Sequence, residues 1–146
     1  MRTVPKPCIC SSIRRAARIM TRAYDYALSP AGINGTQLSI LRAIERNPGE
    51  SMAQVAAELA MDRSTFYRSL MPLKKKGWIK IKEKKSGPAK TAQVTSGGKA
   101  VLKNSAPLWD ELQTTIIDRF GRAKWAFLVS ELKRLENCIP YNEGEI

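Results

Sequence analysis

The sequence predicts a mainly α protein with one small β-hairpin, and three observations predict it. Apolar residues recur at helical spacing along most of the 146 residues. Gly, Pro and Asn punctuation cuts that pattern into six segments. A single stretch, residues 78–95, changes to a period of two and carries a turn at its middle.

Each element follows from local residues. From Cys10 to Leu28, Ile13, Ala17, Met20, Tyr24 and Leu28 form one apolar stripe, and Arg14, Arg15, Arg18 and Arg22 form a basic face. Ser29-Pro30-Ala31-Gly32 breaks this helix. Asn34 caps the next, with Gln37 as reciprocal partner, and Leu38, Leu41 and Ile44 face inward. After Asn47-Pro48-Gly49, Ser51 and Gln54 form a second capping box that opens a short helix with Val55 and Leu59 inside. Ala60 and Met61 make a tight connection. Asp62 caps a third helix, its carboxylate matched to the positive end of the helix dipole. That helix runs to about Lys76 with Phe66, Leu70 and Leu73 inward; Pro72 should bend it and Gly77 should stop it. Ile79 and Ile81 then alternate with Trp78, Lys80 and Lys82 as a strand. Ser86-Gly87-Pro88 turns, and Thr91 to Thr95 pairs back. Thr95 caps a long helix to Phe120, kinked at Pro107. After Gly121 a last helix carries Trp125, Leu128, Val129, Leu132 and Leu135 on one stripe.

Charge singles out the middle of the chain. The net charge is +12, and residues 63–90 hold ten basic residues (Arg63, Arg68, Lys74, Lys75, Lys76, Lys80, Lys82, Lys84, Lys85 and Lys90) against one acid, Glu83. A charge so concentrated implies a polyanionic partner. There is no histidine, so the usual general base and the commonest metal ligand are missing, and no cofactor is implied. No apolar run is long enough to span a bilayer and no signal-peptide core opens the chain, so a cytoplasmic protein with no membrane contact is expected.

Three short helices followed by a basic hairpin describe a winged helix-turn-helix. Its third helix suits the major groove of double-stranded DNA, where each base pair shows its own donor and acceptor pattern. The expected contacts are Arg63, Ser64, Thr65, Tyr67 and Arg68 at the reading end of that helix. Lys74, Lys75 and Lys76 lie past Pro72 in its last turn, where complementing the helix dipole or reaching the backbone is expected rather than base reading. Lys82, Lys84, Lys85 and Lys90 on the hairpin suit phosphates or the adjacent minor groove. Ser51 and Gln54 open the preceding helix, whose exposed N–H groups favour a phosphate.

At this level the sequence resembles the MarR family of winged-helix regulators over about Ile13 to Leu135. The resemblance rests on Gly32-Ile33-Asn34 through Gln37 to Leu41, Met61-Asp62-Arg63-Ser64-Thr65, Leu73 to Gly77 with Trp78-Ile79, and Val94-Thr95 with Gly98. It implies one domain: a DNA-binding lobe at about 34–95, with residues 9–28 and 96–138 forming N- and C-terminal dimerisation helices. It further implies a homodimer on a palindromic operator, repressing a nearby gene until a small molecule or oxidant releases it. The apolar stripes support a dimer independently, since Ile13, Trp109, Ile116, Phe120, Trp125, Leu128 and Leu132 exceed what a small winged helix can cover. One departure concerns the wing tip: Ser86-Gly87-Pro88-Ala89 stands where such wings commonly carry an arginine.

Three cysteines, an odd number, do not make a disulfide framework. Cys8 and Cys10 open the first helix, where the dipole and Arg14 and Arg15 should favour thiolate. The stretch from Cys10 to Tyr24 looks like that of the family's organic-hydroperoxide sensors. The resemblance implies oxidation at Cys10 and a bond from Tyr24; Cys138 is a candidate resolving thiol from a partner subunit. The second tyrosine of those sensors falls here at Gly35. The other effector class is a small aromatic acid, bound between the dimer helices and the winged core in a pocket lined from Ile13 to Tyr24, Leu38 to Leu41 and the start of the long helix, with Arg18 or Arg22 meeting its carboxylate. A nonspecific architectural or RNA-binding winged helix is the alternative from another class. It would differ by showing salt dependence without sequence preference.

Overall fold

A computed structural model describes residues 7–83 and 89–140. Among them the elements run α1 (Ile9–Leu28), α2 (Gly35–Arg46), α3 (Met52–Glu58), α4 (Arg63–Lys75), β1 (Ile79–Glu83), β2 (Lys90–Val94), α5 (Ser96–Phe120) and α6 (Arg122–Glu136). The fold is the mainly α winged helix that the residue pattern predicts. Ser29–Ala31, expected only as a break, forms a 3-10 turn with Pro30 at its start. Lys84, Lys85 and the turn at Ser86-Gly87-Pro88 lie outside the described residues.

The caps form as the residues dictate. The Asn34 side chain accepts from the Gln37 N–H at 2.9 Å, and the Gln37 side chain accepts from the Asn34 N–H at 3.2 Å. Ser51 and Gln54 repeat the arrangement at the start of α3. Both boxes satisfy backbone donors that the first helical turn leaves unpaired. The connection from α3 to α4 turns through Ala60, the one non-glycine residue with positive φ among those described.

The core is built by α2, α3 and α4 with the strand pair. Leu41, Phe66, Leu70 and Leu73 are fully buried in it, and Ile79 and Ala92 close it from the wing. β1 and β2 are antiparallel, with Ile79 opposite Val94 and Lys82 opposite Thr91. Ser51 bridges to Thr91, which lays the start of α3 beside β2. The start of α5 is sewn to the end of α4. Thr95 Oγ1 donates to the Gly77 carbonyl at 2.6 Å and accepts from the Gly98 N–H at 3.1 Å. The approach there is so close that a Cβ on Gly98 would stand 2.2 Å from the Trp78 carbonyl oxygen, so position 98 has room only for glycine.

The chain divides into two compact units between Trp109 and Asp110. In the first, the opening half of α5 packs on the winged core through Val101, Leu102, Leu108 and Trp109. The second comprises the rest of α5 and α6, and α6 has no buried residue. No helix among the described residues is long and apolar enough to cross a membrane.

Candidate nucleic-acid interface

The reading end of α4 is organised by Asp62. Its carboxylate accepts from the Thr65 N–H at 2.8 Å, the Ser64 hydroxyl at 2.7 Å and the Thr65 hydroxyl at 2.5 Å. These donors, the Thr65 hydroxyl first, hold the Asp62 pKa well below the usual carboxylate range. A carboxylate only accepts. The hydroxyl protons of Ser64 and Thr65 are therefore committed, and toward a groove these oxygens offer lone pairs alone. This narrows the expectation of general donor-acceptor contacts at the two positions.

Arg63 and Arg68 are exposed and form no salt bridge among the described residues. Tyr67 is exposed, with its ring edge-on to Phe66 at 6.5 Å between centroids. Opposite the buried stripe of Phe66, Leu70 and Leu73, the outward ridge of α4 reads Ser64, Arg68, Met71 and Lys75 at helical spacing. Met71, 57% exposed, was not among the expected contacts. The helical spacing from Arg68 was the signal that places it there. Lys74 is exposed near the C-terminal end of the helix, which suits phosphate. Lys76 is committed internally: its Nζ donates to the Gly32 carbonyl at 3.0 Å and lies 4.3 Å over the Trp78 ring.

On the wing, Lys80 and Lys82 point to solvent beside the inward Ile79. Lys90 stands opposite Glu83 with its Nζ at 3.9 Å, an exposed pair weak enough to exchange for a phosphate. Lys84 and Lys85 lie outside the described residues. Ser51 Oγ donates to Gln54 Oε1 at 2.7 Å, so the capping box uses both groups and leaves the Gln54 amide N–H as the outward donor.

The effector expectation changes in its cation and at Leu41. A cleft of about 550 Å³ is walled by Met20, Tyr24, Leu38 and Met61, with Trp109 and Arg42 at its edge. Arg18 and Arg22 do not line it, and Leu41 is buried in the winged core instead. Arg18 and Arg22 fall on the exposed basic face of α1, turned from its apolar stripe. Among the described residues two cations line the cleft: Arg42, 4.4 Å over the Trp109 ring, and Arg46, which is paired with Glu58 at 2.6 Å. Tyr24 packs against Trp109 at 6.4 Å, and burial pushes its hydroxyl pKa up against the opposing charge of Arg42. Trp109, expected at a dimer surface, is thus engaged within its own chain.

Cys8, Cys10 and Cys138 are all exposed free thiols. Cys8 occupies the N-cap position of α1, and donors from Ser11, the backbone N–H before the hydroxyl, lower its pKa. Cys10 and Tyr24 sit at opposite ends of α1, fourteen residues and about 21 Å apart along the axis. They do not meet within one chain, so the expected bond between them could form only across two subunits.

The fold and this surface define a class, a winged helix-turn-helix DNA-binding protein. A family model described as winged helix-turn-helix DNA-binding matches residues 33–80, from the loop before α2 into β1. Among solved structures, the M. tuberculosis transcriptional regulator MosR in complex with DNA is similar at 29% identity. The match covers 91% of this chain and 99% of that one, with a TM-score of 0.78. The S. aureus MepR–DNA complex matches at 16% identity over 92% and 100% of the two chains, TM-score 0.79. A MarR family transcription regulator matches at 19% over 88% and 85%, TM-score 0.73. No curated protein matches. The chain carries a winged helix-turn-helix DNA-binding domain and is a DNA-binding transcriptional regulator similar in fold to those of the MarR family.

Proposed function

We propose that the protein is a cytoplasmic homodimeric repressor that binds a palindromic operator with α4 in the major groove and its wing on the flanking backbone. The observation that carries the reading is α4 itself. Its inward side is locked by Phe66, Leu70 and Leu73, while Arg63 and Arg68 project without salt bridges among the described residues. Exposed apolar residues on each of α1, α5 and α6, among them Ile13, Phe120, Leu128 and Leu132, are available to a second copy. A two-fold dimer reads two half-sites about one helical turn apart. The activity is binding, not turnover.

Release is assigned to the cleft. Its apolar walls, the aromatic pair and Arg42 suit a small aromatic carboxylate, held by stacking and a charge-assisted hydrogen bond. Oxidation is a second route, favoured by the lowered pKa of the exposed Cys8 thiol beside Cys10.

The test is selection of genomic duplex fragments by the purified protein, with and without reductant. The expected result is one palindromic motif, bound far more tightly than random duplex. Absence of any enriched motif would leave the architectural or RNA-binding alternative. Loss of the motif on oxidation in wild type, but not in Cys8→Ser or Cys10→Ser, would assign release to the thiols. Loss on adding an aromatic acid, abolished by Arg42→Ala, would assign it to the cleft.

A further inference from the structure

Met71 lies outside the buried core of the winged lobe. It lies on the outward ridge of α4, one turn beyond Arg68, and 57% of it is exposed. With Pro72 it forms an apolar plate in a shallow groove whose other walls are Arg68, Lys74 and Lys75. Three cations around one apolar side chain disfavour a second copy of this basic chain as the occupant and favour a polyanion. Duplex DNA has one apolar group at the floor of its major groove, the C5-methyl of thymine. From Ser64 to Met71 the ridge rises about 10 Å, close to three base-pair steps, so Met71 reaches a base beyond the one facing Arg68.

We propose that Met71 is a specificity-determining residue that reads a pyrimidine C5-methyl group, thymine in ordinary DNA, through contact with its thioether arm. The inference rests on α4 entering the major groove. Arg68, with its donors, supplies hydrogen-bonded readout, and Met71 supplies a methyl readout at a neighbouring step. Methionine suits the task because an unbranched, polarizable arm can follow a methyl group that shifts with local DNA shape.

The experiment uses the full-length protein, the duplex it selects, and copies of that duplex with single thymines replaced by deoxyuridine, which lacks only the methyl. Alternating d(A-T) and d(A-U) duplexes are measured in parallel, so that a readout exists even if selection yields no motif. Wild type should lose about four-fold in affinity at one thymine per half-site, the value of one buried methyl group. Met71→Ala should bind the thymine and deoxyuridine duplexes equally at that position and keep its sensitivity elsewhere. Met71→Leu should restore most of the discrimination. Because the side chain is largely exposed, both variants should melt as wild type does. Equal effects of every replacement on wild type and Met71→Ala would overturn the proposal while leaving operator binding intact. A selected motif without thymine in either half-site would overturn it too. If no motif is selected, equal binding of d(A-T) and d(A-U) by wild type overturns it together with the groove reading on which it rests.

Discussion

α4 and α6 carry equally plain apolar stripes in sequence, yet they end in opposite environments. In α4, Phe66, Leu70 and Leu73 are fully buried by α2, α3 and the strand pair. In α6, Phe127 is 67% exposed, and Leu128 and Leu132 are each 40% exposed. The difference teaches that periodicity announces a face to be covered without naming the chain that covers it. The first stripe builds the platform that aims Arg63 and Arg68. The second is the surface on which a dimer would form.

Mutations at the two stripes should therefore fail differently. Phe66→Ala should cost about 3–5 kcal/mol, the usual range for emptying a large core site, and chemical denaturation would measure it. A much smaller loss would mean that the lobe is looser than its packing indicates. Leu128→Asp with Leu132→Asp should leave the helical signal of the winged lobe intact while sedimentation shows monomers. If the doubly charged variant still sediments as a dimer, α6 is not the interface. Removing the projecting arginines tests what the buried stripe is for. Arg68→Ala or Arg63→Ala should cost about 1–3 kcal/mol of operator affinity and relax one base position, with folding unchanged. Equal losses on random duplex would demote them to phosphate contacts. The smallest effect is expected at Lys82→Ala on the wing: weakening shared by all duplexes, with the salt slope reduced by about one.

Local chemistry was legible to different depths at different places. Asn34 with Gln37, and Ser51 with Gln54, were readable as capping boxes because each box closes within four residues. Asp62 was readable as a cap. That it also takes the hydroxyl protons of Ser64 and Thr65 depends on rotamers, which no pattern specifies. Lys76 looked like one of three equivalent lysines. Its bond to the Gly32 carbonyl joins residues that only the packing of α4 against the α1–α2 loop brings together. The cations beside the cleft were not legible for the same reason. Arg18 and Arg22 lie near Tyr24 in sequence, whereas Arg42 reaches Tyr24 and Trp109 across the fold.

By itself the sequence determined the order and ends of the helices, the strand pair, the inward residues of α2, α3 and α4, and the concentration of charge from Arg63 to Lys90. All of these arise from interactions within a few residues, or from the sum of charges. Only the tertiary structure decided that Trp109 serves its own chain, that Arg42 lines the cleft, that Met71 stands among cations on the outward ridge, and that Gly98 lies against the Trp78 carbonyl. Each of these depends on how elements pack or on which side chain a neighbouring element leaves uncovered, and linear spacing does not encode that.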